Sequence, residues 1–207
     1  MIESPPPNFN EIVSRERGFS LVEAAVVLGV VGVVIGGIWI AAQTISESNK
    51  VNRTVEATLK TIEGTRRLYK GFYPNQISTR AIGSVDYTIG SSLYESGVIP
   101  RDVFTGCNFG FFINYCTGNA WGAGGYTYFG VRRLNDPTGD YLVQENIQSV
   151  SGCIKIAAAL SKINFQNYAI KSIDMFGESY TDSSQMTVAS LTAACTGWPL
   201  IVVVYTP

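Results

Sequence analysis

Residues 15–42 read RERGFSLVEAAVVLGVVGVVIGGIWIAA, and this stretch decides how the rest of the 207-residue chain is interpreted. After Glu23, no charged residue occurs through Ala42. As a helix, Phe19–Ala42 would rise about 36 Å, enough to cross a hydrocarbon core of about 30 Å. The alternative is a buried core helix, but such helices are rarely apolar around their whole circumference. We therefore expect a membrane-spanning helix.

Charges on either side of the apolar run indicate its orientation. Arg15 and Arg17 come directly before it, while Lys50 and Arg53 lie beyond it. Basic residues favour the cytoplasmic side, so we expect a cytoplasmic N-terminus and a head outside the membrane. A secretory signal fits poorly, because its apolar region spans only about 7–15 residues and ends at a small-residue cleavage site.

The residues at the start of the apolar run form a recognisable motif. Gly18 ends a polar segment, Phe19 opens the run, and Glu23 is the fifth residue counted from Phe19. This order resembles the cleavage motif of type IV prepilins. The resemblance implies that a prepilin peptidase cuts between Gly18 and Phe19 on the cytoplasmic side, and N-methylates Phe19. Residues 1–18 would then be a leader peptide that is removed.

Glu23 is an ionisable residue within the first turns of the apolar helix. Inserting a carboxylate at the centre of a membrane-spanning helix costs about 2.5–3.5 kcal/mol. The position of Glu23 near the interface, or its protonation, would be a sufficient explanation. The prepilin resemblance implies a different one, in which Glu23 pairs with the Phe19 amine of a neighbouring subunit and sets the stacking register.

Four glycines interrupt the same helix: Gly29, Gly32, Gly36 and Gly37. Gly32 and Gly36 form a small-x-x-x-small pair, which permits close helix approach. Each glycine also weakens a helix by about 1 kcal/mol relative to alanine. In related filaments this part of the helix partly unwinds. Many family members also carry a proline there, whereas this chain has none between Pro7 and Pro74.

Beyond the apolar run the pattern becomes amphipathic. Apolar residues recur at helical spacing, at Val51, Val55, Leu59, Ile62 and Tyr69. Pro74-Asn75 then predicts the end of one long helix over Phe19–Tyr73. The expected organisation is a leader at 1–18, a membrane and filament-core helix at 19–42, an amphipathic half at 43–73, and a globular β-sheet head at 74–207.

Residues 74–125 are glycine-rich and are expected to be irregular, with loops, a short helix and at most short strands. Two segments, Gly97-Val98-Ile99-Pro100 and Asn119-Ala120-Trp121-Gly122, resemble a pattern in type IVb pilins. Predicted strands cover 126–132, 141–144, 168–175 and 200–205, the last closing the sheet. A helix is predicted over 150–160, with Ser151 as a possible N-cap, and a short helix or turn over 190–195. The fold class is α+β, a long helix packed on an antiparallel sheet with a disulfide-bounded C-terminal region.

Four cysteines on the outer side of a membrane indicate disulfides, and three pairings are possible. The family resemblance implies a Cys153–Cys195 bridge that bounds the variable C-terminal region. Cys107–Cys116 is then the second, short bridge. A zinc site is disfavoured, because no C-x-x-C spacing occurs.

Composition limits the function classes. The formal net charge is −1 and no histidine is present, which argues against a nucleic-acid-coating protein and removes imidazole-based catalysis and metal ligation. We therefore expect no enzyme, no cofactor, no metal and no direct nucleic-acid partner. A bitopic enzyme is a disfavoured alternative.

The leading interpretation is a structural subunit of a type IV pilus, similar to a type IVb (PilS-type) prepilin. Its expected partners are further copies in a filament, the prepilin peptidase, an inner-membrane assembly platform, and the membrane before assembly. It would move from the bacterial inner membrane to an extracellular fimbrium serving adhesion, conjugation or related functions. A minor pilin and a type II secretion pseudopilin are the alternatives, the latter with Asp174, Glu178 and Asp182 as possible calcium ligands.

Overall fold

The computed structural model describes residues 20–70, 85–86, 89–109, 114–132, 140–197 and 199–206. The chain divides into two compact units, Met1–Thr44 and Ile45–Pro207. Helix α1, Leu21–Leu68, contributes residues to both units. It ends five residues before the predicted end at Tyr73, because Tyr69 and Lys70 already form a turn. Gly71 follows in the sequence, and glycine commonly follows a helix end.

The second unit contains an antiparallel sheet of eight described strands. Its path runs β2-β3-β4-β5-β8-β6-β7, and β1 pairs with β4. The strands are β1 Val85–Asp86, β2 Thr105–Phe109, β3 Asn114–Asn119, β4 Gly122–Arg132, β5 Asp140–Asn146, β6 Ile170–Met175, β7 Glu178–Tyr180 and β8 Leu200–Tyr205. The last strand, β8, pairs with β5 on one side and with β6 on the other, so it lies inside the sheet and does not close an edge as predicted.

The described part of the second unit also contains three short α-helices: α2 Ile89–Glu95, α3 Val150–Leu160 and α4 Val188–Gly197. The N-cap of α3 is Ser149, whose Oγ accepts from the Gly152 amide at 3.1 Å. The prediction of Ser151 as the cap is therefore wrong. Ser151 is exposed within the first turn, and its hydroxyl bonds to a side chain of α1 instead.

The described part of segment 74–125 contains the short helix α2, the short strands β1, β2 and β3 and the start of β4, as expected for this segment. One strand boundary in the head needs correction. Strand β6 begins at Ile170, two residues later than predicted, because Ala169 has a positive φ of 50° and belongs to the preceding turn.

The core of the second unit lies between α1 and the sheet. Tyr69 at the end of α1 stacks on Tyr141 of β5 with ring centroids 5.7 Å apart. The predicted aliphatic stripe is confirmed in part, since Val51 and Ile62 are buried, whereas Val55 and Leu59 are half-buried at the edge of the core. The buried face of the helix consists of Val51, Thr54, Ala57, Thr58, Thr61, Ile62 and Thr65.

Threonines can occupy this buried face because three of them satisfy their own hydroxyls. Thr58, Thr61 and Thr65 each donate to the carbonyl oxygen four residues earlier, at 2.7–2.9 Å. These hydroxyls are therefore buried without being left unpaired, which avoids the cost of a desolvated polar group. The buried face is thus chemically distinct from the rest of α1.

Candidate functional site

The N-terminal part of α1 begins with a capped first turn. Ser20 Oγ accepts a hydrogen bond from the Glu23 amide at 3.1 Å, and the Ser20 carbonyl accepts from the Ala24 amide at 3.1 Å. Ser20 and Glu23 thus have the spacing of a capping box, of which the serine half is formed. This role of Ser20 was not predicted from the sequence. The predicted cleavage residues Gly18 and Phe19 lie outside the described residues.

Glu23 is exposed in this first helical turn. A carboxylate near a helix N-terminus interacts favourably with the helix dipole, by about 0.3–1 kcal/mol when exposed. Glu23 can therefore stabilise the N-terminus of its own helix, or its carboxylate can contact another molecule. Ser20 contributes to the first role as the helix cap, but not to the second.

Every residue from Ser20 to Ser46 is exposed in the single chain. Leu21, Leu28 and Val33 keep 87%, 71% and 78% of their surface accessible, although all are apolar. The helix is long and apolar enough to cross a membrane. Such a surface is stable only when lipid or other apolar helices cover it.

The four predicted glycines lie within this exposed stretch, and α1 continues through all of them. A Cβ built on Gly29, Gly32, Gly36 or Gly37 meets nothing within 4 Å. No packing within the described part of this chain therefore requires a glycine at these positions. Their small size leaves shallow places on the helix surface at which another helix could approach closely.

The remainder of α1 is attached to α3 by a polar contact. Glu47 accepts from Ser151 Oγ at 2.9 Å and pairs with Lys155 Nζ. The hydrogen bonds from Lys155 and Ser151 lower the pKa of Glu47. One turn later, Lys50 Nζ lies 5.7 Å from the centroid of the Trp121 ring, at cation–π distance. These contacts hold the first turns of α1 within the second unit against the head.

A buried carboxylate, not identified from the sequence, lies under the threonine face of α1. Glu145 of β5 is 1% exposed, and its Oε2 accepts from Thr127 Oγ1 at 2.7 Å. Its Oε1 lies 3.5 Å from Thr58 Oγ1. Desolvation by burial raises the pKa of Glu145 to about 7, although hydrogen bonds from Thr127, Asn119 and Thr58 oppose the rise. Strand alternation was the available signal, because Glu145 shares a face with Tyr141 and Val143.

Two disulfides join Cys107 to Cys116 and Cys153 to Cys195. These are the two pairs expected from the sequence. The first links directly opposed residues of β2 and β3, and the second links α3 to α4. The long bridge therefore holds together the two helices that precede β6 and β8.

The three possible calcium ligands are used within the chain or lie apart. Asp174 on β6 accepts from Ser179 Oγ at 2.6 Å, and Asp182 caps the 3-10 helix Ser183–Gln185. Glu178 is at the start of β7. In the described part of the chain, no three histidine, cysteine or acidic residues converge on a point where they could hold a metal ion.

Residues 13–39 match the prokaryotic N-terminal methylation motif, which is the signature of type IV prepilins. The match does not distinguish the type IVb subtype. Neither a curated protein nor a solved structure matches the chain. The motif points to a structural subunit and away from an enzyme. Together with the apolar helix it supports membrane anchoring before assembly. The α+β layout, with its long apolar helix, antiparallel sheet and two disulfides, is consistent with the pilin fold.

Proposed function

We propose that this protein is a structural subunit of a type IV pilus, polymerised through residues 19–42 of its N-terminal helix. The observation that carries the proposal is the coincidence of the methylation motif at 13–39 with a helix whose apolar surface is wholly exposed in the single chain. In a secreted globular protein, such an apolar surface would remain exposed to water, which is unfavourable. A filament subunit buries it first in the inner membrane and then against the helices of other copies.

The chain would mature in one processing step. A prepilin peptidase removes residues 1–18 between Gly18 and Phe19 and methylates the new amine. Residues 19–42 then hold the subunit in the membrane, 43–73 connect this helix to the head, and 74–207 form the surface of the filament. An assembly platform in the inner membrane extracts each subunit and adds it to the growing bundle.

Glu23 is proposed to set the register of that bundle. It lies four residues from Phe19, so its carboxylate can accept a charge-assisted hydrogen bond from the Phe19 amine of a neighbouring subunit. A carboxylate desolvated among apolar helices interacts strongly only with a partner at the correct height. The glycines at 29, 32, 36 and 37 would let neighbouring helices approach closely or bend.

The first test is processing. Co-expression with a prepilin peptidase should yield a chain that begins with methylated Phe19, as read by intact mass. Gly18→Ala should slow or block the cleavage. Finding only the 207-residue form while the peptidase processes another substrate would refute the processing step.

The second test separates the two roles of Glu23. Glu23→Ala should enter the membrane fraction normally but give no filaments in the sheared fraction. Ser20→Ala is the matched control, since it removes the helix cap, at a cost of about 1 kcal/mol, and leaves the carboxylate in place. Filaments from Ser20→Ala together with none from Glu23→Ala support the register role. Normal filaments from Glu23→Ala contradict it.

There are two alternatives. One is a pseudopilin of a type II secretion system, which would also have the methylation motif and the long helix, and the other is a minor pilin of the same pilus. Abundant sheared filaments made of this chain alone favour the major pilus subunit over both.

A further inference from the structure

An open groove of about 430 Å³ lies on the second unit, at the ends of β6, β7 and β8. Its apolar lining comes from Leu142, Leu200, Val202 and Phe176, and its two charged residues are Asp174 and Glu178. No basic residue lines it within the described part of the chain. Phe176 is 62% exposed, which is unusual for an aromatic side chain at a hairpin turn. We call this feature the acidic groove.

The acidic groove is on the side of the sheet away from α1. Glu145 points toward Thr58 of α1, and successive strand residues point to opposite faces, so Gln144 points away. Gln144 pairs across the sheet with Val202, and Val202 pairs with Asp174. Their side chains therefore line the outer face of the sheet, the face away from α1.

A second surface on the same unit has complementary properties. The end of α1 and the turn that follows it present Arg67 and Lys70 on either side of Leu68, an apolar side chain that is 43% exposed. Arg67 is 84% exposed and its contact with Glu63 is loose, at 3.9 Å. We call Arg67, Leu68 and Lys70 the basic end.

The two surfaces lie on opposite faces of the sheet. The basic end is on the α1 side, since the neighbouring Tyr69 stacks on Tyr141 of β5. The acidic groove is on the other side, where its lining includes Leu142 and Gln144 of β5. Because the sheet separates the two surfaces of one chain, the basic end that enters the groove would come from a second copy.

We propose that the basic end of one subunit docks in the acidic groove of the next. Leu68 contacts the apolar lining, while Arg67 and Lys70 face Asp174 and Glu178. A contact between two different surfaces of identical chains is heterologous, and it propagates into an open filament. The inference rests on the proposed function, because it names the head-to-head contact of that filament.

Charge reversal with rescue tests this pairing in the full-length chain, expressed with its peptidase and assembly platform. Arg67→Glu and Glu178→Arg should each lower the sheared filament yield about fivefold, since each replaces an attraction by a repulsion at the contact. The double variant should return to within about twofold of wild type. Arg53→Glu and Glu95→Arg, exposed positions outside both surfaces, are matched controls that should keep the wild-type yield.

A photo-reactive amino acid in place of Leu68 gives a readout that does not depend on yield. In sheared filaments it should cross-link to the peptide that carries Glu178. Cross-links to another part of the head overturn the pairing, as does a double variant that fails to recover or single reversals without effect. Wild-type filaments combined with any of these results leave the pilus function standing. No wild-type filaments at all would overturn both proposals.

Discussion

Replacing the buried carboxylate with an amide, Glu145→Gln, should remove most of the pH dependence of head stability near neutrality. The pKa of Glu145 is about 7 in the folded chain, against an ordinary value of 4.5. The cause is desolvation, because the side chain is 1% exposed and, in the described residues, no ion pair involves it. Its hydrogen-bond partners are hydroxyl and amide groups, which compensate a negative charge only in part.

The sign of the effect follows from proton linkage. Below pH 4.5 the carboxyl is protonated whether the chain is folded or unfolded, so it contributes no slope. Between about 4.5 and 7 the folded state binds the proton more tightly, and the free energy of unfolding falls as the pH rises. The difference between the two pKa values corresponds to about 3 kcal/mol lost across this range.

The hydrogen-bond geometry indicates where the proton is held. Thr58 has one hydroxyl proton and lies 2.9 Å from the Thr54 carbonyl, but 3.5 Å from Glu145 Oε1. When Thr58 donates to the carbonyl, a protonated Glu145 can donate to Thr58. The amide introduced by Glu145→Gln would provide a donor at the same place and keep an acceptor for Thr127.

The measurement is urea unfolding of the full chain in a non-ionic detergent, followed by near-UV circular dichroism between pH 5 and pH 8. Wild type should lose about 3 kcal/mol over this range, and Glu145→Gln should stay nearly constant. Glu47→Gln is the control. The pKa of Glu47 is lowered in the folded chain, so the stability that Glu47 contributes is lost only as the pH falls below the ordinary pKa range of a glutamate. Glu47→Gln should therefore leave the pH dependence between pH 5 and pH 8 unchanged. A wild-type stability that is flat or rises between pH 5 and pH 8 would refute the argument.

Three further predictions concern packing and cross-links in the head. Gly152→Ala should destabilise the chain by about 1–3 kcal/mol, because a Cβ there would lie 2.5 Å from the Trp121 ring. Gly36→Ala is the control and should not destabilise the head, because nothing lies within 4 Å of its added Cβ. Thermal melts of both variants measure the difference. Cys153→Ser should lower the unfolding free energy more than Cys107→Ser, by about 4 against about 3 kcal/mol in a chain-entropy estimate, since the bridged residues are 42 and 9 positions apart. Non-reducing peptide mapping should return the same two pairs. Thr54→Val should be neutral or stabilising by up to about 1 kcal/mol in the same urea assay, because the Thr54 hydroxyl is buried without a hydrogen-bond partner, whereas Thr58→Val should destabilise.

The elements that the sequence predicted well are those with a strong local pattern. Helix α3 has the predicted bounds 150–160, and β8 has the predicted bounds 200–205, since β-branched residues dominate it. The N-terminal helix was predicted from its uninterrupted apolar composition. In each case the local preference and the tertiary environment favour the same structure.

The features that were missed depend on long-range contacts. A threonine in the middle of a helix reads as a weak helix former, and only packing against the sheet makes Thr54, Thr58, Thr61 and Thr65 the buried face. Strands β2 and β3 are short and glycine-containing, and the disulfide between Cys107 and Cys116 holds them in register. Neither effect is visible in a local window of sequence.

The distribution of burial along α1 also explains why assembly and folding should respond to different substitutions. No residue between Ser20 and Ser46 is buried, so changes there remove no packing from the head. From Val51 to Thr65, by contrast, one face of α1 is buried. Beneath this face lies the buried side chain of Glu145, which accepts a hydrogen bond from Thr127. Substitutions in the first segment should therefore act on what covers the helix, which in the proposed filament pathway is lipid before assembly and other copies afterwards. Substitutions in the second segment act on the folded head, and they reach the filament only by lowering the amount of competent subunit.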